Sequence, residues 1–240
     1  GNAWLLLHAH PKGAYVKIIP EEKKIVGYTR ANEGGVPENF ACYFVVYLDQ
    51  PFKTCGVWQG TQTRPEVTEL SAEEAGAYLQ FQGPVTVTMR IATSFISQEQ
   101  AERNLATEIG QRTFEQTRQE AKEIWEKEMR RIEIEGATPA QRVTFYTALY
   151  RALLFPRIWY EYDAGNHMVH FSPYDGKVHA GEMYADNGFW DTFRAVYPFF
   201  TLLHPDRDAE IIRGWINAYK EGGWFPKWTK IGRASCRERV

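Results

Sequence analysis

The hydrophobic period of the chain changes near Phe95, and this change constrains the fold more than any other feature. Before it, β-branched and aromatic runs alternate with Gly, Pro and Asn, a pattern typical of strands. Because no long helical pattern separates the runs, they predict an antiparallel β-sandwich rather than βαβ units. The runs occupy residues 4–7, 14–19, 24–28, 40–47 and 85–91.

A helical pattern begins directly after residue 96. Ser97 and Gln100 have the spacing of a capping box, and apolar side chains then recur every four residues, which predicts a helix start. A strongly charged stretch continues to Gly136 and keeps one apolar helical stripe, which predicts an exposed helical linker. The stripe consists of Phe114, Ala121, Trp125, Met129 and Ile132.

A second helix start lies at Thr138, with Pro139 in the first turn. The predicted organisation is multidomain α and β, with a β-sandwich domain at 1–96, a helical linker at 97–136 and a helical domain at 137–230. Since the chain opens inside a strand-like run without Met or a signal peptide, we expect only the C-terminal part of the sandwich. The predicted buried face of the second helix consists of Val143, Tyr146, Tyr150 and Leu153.

The last segment, residues 231–240, departs abruptly from the aromatic sequence before it and has no amphipathic period. Reverse-translated, it resembles read-through of a common sequencing adapter, so we interpret it as an artefact outside the fold. A genuine basic tail is the alternative. Outside this segment only Cys42 and Cys55 remain, and we predict buried free thiols rather than a disulfide.

Charge and composition favour a neutral partner. A formal charge of -2, with acids and bases interspersed, provides no basic stripe for nucleic acid or anionic membrane. The sequence contains no apolar run of about 18 residues that could span a membrane. Aromatic residues make up 15% of the chain, and their faces suit sugar rings as well as a packed core.

Two histidine pairs have spacings that could serve a metal ion. His8 and His10 would share one face of a strand, and His167 and His170 are three residues apart. The first pair lacks a third ligand, and Gly and Pro around the second argue against a helix. We therefore predict ordinary histidines and assign no metal ligand.

The stretch at residues 187–194 opens a helix that is apolar on nearly every side, which predicts burial, with a kink at Pro198. Asp191 lies inside this run, and a buried carboxylate must be paired or used. One interpretation is an ion pair with Arg194, one helical turn away. The other is a pocket floor where Trp190 stacks on a sugar ring and Asp191 accepts its hydroxyl protons.

A further helix is predicted from Asp206 to Lys220, ending at Gly222-Gly223. Glu221 is unusual there, because an acid at a helix C-terminus opposes the dipole by about 0.3–1 kcal/mol. Either water screens this carboxylate or a site uses it. Residues 224–228, which begin with Trp224, form an aromatic loop suited to lining a cleft or to packing. The predicted apolar face of the helix consists of Ile212, Trp215, Ile216 and Tyr219.

Three ordered motifs at residues 175–179, 184–194 and 217–228 closely resemble glycoside hydrolase family 92, the calcium-dependent exo-acting α-mannosidases. The resemblance implies an N-terminal sandwich joined by helices to an (α/α)6 barrel, of which 137–230 would hold the first helices. It also implies that Trp190 and Asp191 contact the mannose. With Glu221 and Trp224 they are the candidate substrate-binding residues.

The resemblance places the family's acid, base and calcium ligands beyond the third motif, so no catalytic or metal-binding residue is assigned here. It implies an inverting α-mannosidase that acts on mannose-containing glycans, with calcium as cofactor and this chain as an inactive fragment. It also suggests export to the periplasm, the cell surface or the medium. The alternatives are another (α/α)6-barrel glycosidase, trehalase-like or phosphorylase-like, or a non-catalytic carbohydrate-binding module.

Overall fold

The computed structural model describes residues 1–10, 12–32, 34–225, 228–230 and 233–234, with side chains except at 191, 228–230 and 233–234. The chain divides into two compact units, residues 1–111 with 161–167, and residues 112–160 with 168–240. Antiparallel sheets dominate the first unit and helices the second, which confirms the predicted mixture of α and β.

Among the described residues, nine antiparallel strands build the two sheets of the first unit. They are β1 (Ala3–Ala9), β2 (Ala14–Ile19), β3 (Lys24–Thr29), β4 (Cys42–Leu48), β5 (Thr54–Gln59), β6 (Gln62–Pro65), β7 (Glu69–Ala72), β8 (Ala75–Phe81) and β9 (Met89–Ser94). One sheet has the order β1-β8-β5-β6 and the other β7-β2-β3-β4-β9. Their inner faces meet in one core, in which Ile18 and Ile25 of one sheet and Val57 and Leu79 of the other are fully buried.

The predicted strand at residues 85–91 begins later than expected, at Met89. The reason is local: the Asp49 carboxylate accepts a hydrogen bond from the Thr88 amide at 2.8 Å. This amide therefore bonds to a side chain instead of to a neighbouring strand. The strands β5 to β8 were not predicted. Strands β6 and β7 have only four residues each, and Gly56 and Gly76 interrupt β5 and β8, so these strands depend on pairing with their neighbours rather than on local preference.

Helix α1 (Gln98–Glu108) covers the outer face of the five-stranded sheet. The Ser97 hydroxyl accepts a hydrogen bond from the Gln100 amide at 3.1 Å, which confirms the predicted helix start. Ala101 and Leu105 then pack against Val26 and Val45. The amphipathic period of the helix therefore buries one face, as its spacing indicates.

Cys42 and Cys55 are free thiols, as predicted, but both are half-buried rather than buried. Burial and the nearby Glu161 carboxylate raise the pKa of the Cys42 thiol to about 11. Burial also raises the pKa of Cys55. Both side chains are therefore protonated and weakly reactive at neutral pH.

The second unit, as far as the structure describes it, combines five helices with short strands. Its elements are α2 (Phe114–Met129), α3 (Pro139–Ala152), β10 (Arg157–Ile158), β12 (Met168–Phe171), β13 (Val178–Ala180), β14 (Tyr184–Ala185), β15 (Asn187–Gly188), α4 (Phe189–Thr192), α5 (Val196–Leu203), α6 (Pro205–Gly222), β16 (Trp228–Lys230) and β17 (Arg233–Ala234), while β11 (Glu161–Tyr162) lies in the first unit. The rest of segment 231–240 lies outside the described residues.

The starts of α2 and α3 carry complete capping boxes, at Thr113 and Thr138, which confirms the predicted start of α3. The predicted buried face of α3 is wrong, because Val143 and Tyr150 are exposed and Leu149 is buried. The apolar side chains of α3 occur on several sides of the helix. One face of α3, which includes Leu149, lines a groove together with α5. Packing against this neighbouring helix therefore decides which face of α3 is buried.

The single buried helix predicted from residue 187 is instead two helices, α4 and α5. Pro198 does not kink a helix, because it is the third residue of α5, where a backbone N–H has no intrahelical acceptor. The prediction that the apolar side chains of this stretch are all buried is also wrong. Phe200 is buried, whereas Phe189 and Phe193 are each 41% exposed and Leu202 is 79% exposed.

Helix α6 ends as predicted, at Gly223 with a left-handed φ of 81°. Its predicted apolar face is wrong, because Ile212 and Ile216 are exposed. Gly214 favours the observed orientation: a Cβ there would lie 3.1 Å from the Tyr184 ring, so a larger residue would require Tyr184 to shift by a few tenths of an ångström. The buried face consists of Asp208, Ile211, Gly214 and Ala218.

Two glycines of the four-stranded sheet lie beneath aromatic rings of the opposite strand. The β5–β8 register pairs Gly76 with Trp58 and Gly56 with Tyr78. A Cβ on Gly76 would lie 2.1 Å from the Trp58 ring, and a Cβ on Gly56 would lie 2.4 Å from the Tyr78 hydroxyl oxygen. Each ring therefore lies over a neighbouring strand in space that only glycine leaves open.

Gly76→Ala is expected to lower the free energy of unfolding by about 1–3 kcal/mol, because the added methyl group must displace the Trp58 ring. Urea denaturation followed by circular dichroism measures the change. In a Trp58→Ala background the clash is absent, so Gly76→Ala should then cost much less. An equal cost in both backgrounds would contradict this explanation.

Candidate functional site

Backbone pairing holds the start of α4 beside the aromatic motif near residue 228. Strand β15 pairs with β16, with Asn187 opposite Thr229 and Gly188 opposite Trp228. The Thr192 hydroxyl donates to the Gly188 carbonyl at 3.1 Å, within the same turn. The motifs at residues 184–194 and 217–228, which are separate in sequence, therefore meet in the fold.

An aromatic cluster anchors α4 on its inner side. The Phe189 ring lies 5.5 Å from that of Trp215 and 5.9 Å from those of Phe193 and Tyr197. Trp190 follows Phe189 directly and is 68% exposed. The cluster thus fixes the helix while the Trp190 indole remains open to a ligand, as stacking on a sugar ring requires.

A second exposed indole follows α6. Gly222 packs closely on the Tyr174 ring, since a Cβ there would lie 3.0 Å from it. Trp224 is 69% exposed. The next ring, Phe225, stacks on Tyr219 of α6 with centroids 5.0 Å apart. The helix end and its packing therefore hold the loop that presents Trp224.

Glu221 forms a buried pair with a histidine from β12. Its Oε1 atom lies 2.9 Å from Nε2 of His170, and the two side chains are 8% and 0% exposed. The other ring nitrogen, Nδ1 of His170, lies 2.9 Å from the carbonyl oxygen of Gly181. Because a carbonyl only accepts, Nδ1 carries a hydrogen, and a further single hydrogen joins Nε2 to the carboxyl group.

This pair explains the acid at the C-terminus of α6. The sequence interpretations were screening by water or use by a site, and the structure instead shows the Glu221 carboxyl group paired with an imidazole. The second oxygen, Oε2 of Glu221, is buried without a hydrogen-bond partner among the described residues. The pair joins α6 to β12 three residues before Trp224, so it supports the loop that carries this indole.

The remaining motif, residues 175–179, lies at the same hairpin. Strand β12 pairs with β13, with His170 opposite His179. His179 contacts the Asp175 carboxylate at 2.9 Å. Burial acts to raise the pKa of Asp175, but the hydrogen bond from the Lys177 amide and the contact with His179 outweigh it and lower that pKa. All three motifs therefore lie in the second unit.

The four candidate substrate-binding residues have different environments. Trp190 and Trp224 are exposed, Glu221 is buried against His170, and the side chain of Asp191 lies outside the described residues. Their role in substrate binding stays a prediction. The supporting role of His170 was not predicted: its apolar neighbours in β12 could have indicated burial, but its partner lies 51 residues away.

Within the described part of the chain, no group of three or more His, Cys, Asp or Glu side chains could hold a metal ion. The His8 and His10 rings stack at 5.7 Å, as predicted for one strand face, but His8 contacts Glu74. His167 contacts Asp163, whereas His170 is the buried partner of Glu221. The helices in this part also include none long and apolar enough to cross a membrane.

Comparisons with solved structures extend over nearly the whole chain. The inverting mannosidase of family GH92 from Bacteroides thetaiotaomicron is 42% identical with a TM-score of 0.94, over 99% of this chain and 32% of that one. A GH92 α-mannosidase from the same organism, 22% identical, has a TM-score of 0.84 over 99% of this chain and 33% of its own, and shows the shared fold. The chain spans about a third of the length of these structures.

A curated relative, an uncharacterized secreted glycosidase of Arthroderma benhamiae, is 35% identical over 161 residues, which are 64% of this chain and 16% of that protein. The model of the glycosyl hydrolase family 92 N-terminal domain matches residues 3–94. The model of the family's catalytic domain matches residues 100–237, which include all three motifs. The chain therefore belongs to glycosyl hydrolase family 92.

Proposed function

We propose that this chain forms part of an inverting, calcium-dependent α-mannosidase that removes terminal α-mannose residues from glycans. The observation that carries the proposal is the 42% identity, across 99% of the chain, to an inverting mannosidase with a TM-score of 0.94. Membership of this family favours it over a trehalase-like or phosphorylase-like enzyme. The exposed indoles of Trp190 and Trp224 add surfaces suited to sugar rings.

In this proposal, residues 1–96 form the sandwich domain, 97–136 a helical linker and 137–230 the first helices of an (α/α)6 barrel. The helical domain binds the mannose, with Trp190 and Trp224 stacking and Asp191 accepting hydroxyl protons. Glu221 is the fourth substrate-binding residue of this proposal, and its carboxyl group is buried against His170. The matches at residues 3–94 and 100–237 support a division near these boundaries.

Inverting hydrolysis needs a general acid and a general base about 6.5–9.5 Å apart, with room for water between them. We assign neither to residues of this chain. They would come from the part of an enzyme of the relatives' length that this chain does not span. We therefore expect the 240-residue chain to bind sugar without hydrolysing it.

The described residues do not by themselves fit a calcium site, because they form no cluster of three carboxylate, imidazole or thiolate side chains. The ligands would come from the same remaining part of the enzyme. Bound calcium would supply a hard cation for oxygen ligands, including mannose hydroxyls. The secreted relative supports export of the enzyme to the periplasm, the cell surface or the medium.

The test uses an enzyme of the relatives' length that contains this sequence, assayed on aryl α-mannosides and mannose-rich glycans. We expect release of mannose as the β-anomer, seen by proton NMR before mutarotation. Activity should fall with a chelator and return with calcium. Release of the α-anomer would contradict inversion, full activity after chelation would contradict the metal requirement, and no hydrolysis of any α-mannoside would overturn the proposed substrate.

A further inference from the structure

We propose a second carbohydrate-binding surface on the first unit, which takes a neutral glycan by ring stacking. It lies on the outer face of the four-stranded sheet and is formed by Trp4, Trp58 and Tyr78, named here the aromatic platform. It goes beyond the proposed hydrolysis, because none of its residues belongs to the motifs at 175–228. Its binding can be measured without any catalysis.

Part of the outer face of this sheet is apolar and exposed, and His8, which pairs with Glu74, lies at the edge of this part, with its ring 4.9 Å from that of Trp58. Trp4 is 56% exposed and Leu6 is 69% exposed, while the alternate residues of β1 face the core. The strand register places Leu6 opposite Tyr78. The Trp4 and Tyr78 rings lie 5.9 Å apart. Since α1 covers the outer face of the other sheet, the two outer faces of the sandwich differ in character.

The cross-strand glycines hold two rings of the platform close to the sheet. Trp58 lies over Gly76 and Tyr78 over Gly56, each in space that a Cβ would occupy. A ring held against the backbone in this way loses little freedom when a ligand stacks on it. The platform is therefore preorganised, as an apolar face that receives a flat ligand should be.

The aromatic platform lines a groove, and the chemistry of this groove favours a neutral sugar. The groove has a volume of about 430 Å³, and the described residues that line it include no Lys, Arg, Asp or Glu. Thr61 and Thr63 contribute hydroxyl groups beside the rings. A pyranose presents the matching surface, with an apolar C–H face for the rings and hydroxyl groups for the threonines. A charged ligand would have no oppositely charged side chain to pair with among these lining residues.

The size of the groove argues against a protein partner. Its volume lies within the range of about 300–1,000 Å³ that is usual for small-ligand sites. Seven described residues line it, whereas a stable protein interface uses about 20–30 residues on each side. A short stretch of glycan therefore fits this surface better than a second copy of the chain.

Affinity electrophoresis of the 240-residue chain in native gels that contain soluble mannan tests the proposal. We expect mannan to retard the chain. Trp4→Ala and Tyr78→Leu should each weaken binding about threefold to tenfold, from the loss of one stacked ring. Trp4 is exposed, and the leucine side chain introduced by Tyr78→Leu would still cover Gly56, so both variants should stay folded by circular dichroism.

Phe114→Ala is the matched control, since Phe114 is an exposed aromatic residue of α2, and it should leave retardation unchanged. The double variant Trp190→Ala/Trp224→Ala removes the stacking indoles of the proposed mannosidase site. We expect part of the retardation to remain in this variant, and Trp4→Ala should weaken it further in the same background. Three results would overturn the platform: no retardation, loss of binding only in the double variant, or a dimer in sedimentation that Trp4→Ala dissociates.

Discussion

Replacing His170 by alanine is expected to lower the free energy of unfolding by about 3–5 kcal/mol. The His170 side chain is fully buried, and its Nε2 atom is the partner of Glu221 Oε1 at 2.9 Å. The carboxyl group already has one buried oxygen without a partner among the described residues. Removal of the imidazole would leave both oxygens unpaired, together with the Gly181 carbonyl that His170 also contacts.

Urea denaturation of the 240-residue chain, followed by circular dichroism, measures this loss. Glu221→Gln is the conservative control, because its amide can donate to Nε2 while Nδ1 still donates to Gly181. We expect that variant to cost less than about 1.5 kcal/mol. The double variant His170→Ala/Glu221→Leu should recover part of the loss, since no unpaired carboxyl group remains. A small effect of His170→Ala would contradict a structural role for the pair.

Asp191→Ala is expected to lower kcat/KM on α-mannosides by about 10- to 150-fold in an enzyme of the relatives' length. The reason is the proposed contact of Asp191 with mannose hydroxyls, because hydrogen bonds to a charged group contribute about 1.5–3 kcal/mol. Trp190→Ala should have a smaller effect of about threefold to tenfold, from the loss of stacking. Steady-state kinetics with an aryl α-mannoside measure both changes.

Arg194→Ala distinguishes the two interpretations of Asp191. In the structure the Arg194 guanidinium lies over the Phe193 ring, with its carbon 5.3 Å from the ring centroid. If Asp191 binds substrate, Arg194→Ala should leave kcat/KM within about threefold of the parent enzyme, as expected for an exposed contact. Matching losses of stability and activity in Asp191→Ala and Arg194→Ala would show that the carboxylate serves an ion pair instead.

Element ends follow from local chemistry, and the sequence predicted several of them. Ser97 and Thr138 cap helices because a hydroxyl one turn from a free amide is a local arrangement. Gly223 ends α6 because glycine adopts positive φ without steric cost. The sandwich was predicted for the same reason, since alternating runs with frequent turns are compatible with few other folds.

The buried faces of the helices depended on the tertiary structure. Apolar residues lie on more than one side of α6, so the pattern alone could not decide between Ile211 and Ile212. The close approach of Tyr184 to Gly214 favours the burial of Ile211, and this contact joins residues far apart in sequence. The break between α4 and α5 is similar, because Pro198 in the run from 187 to 203 is compatible with a kink in one helix as well as with the first turn of a new helix.

The sequence by itself determined the family, the change from a strand-rich to a helical part, and the unusual position of Glu221, because motifs, periodicity and helix dipoles are all local properties. Only the tertiary structure decided that His170 is the partner of Glu221, that Gly188 lies beside Trp228, and that Trp58 and Tyr78 cover glycines. Each of these contacts joins segments that are distant in the chain. Their pairing depends on register and packing, which no local pattern specifies.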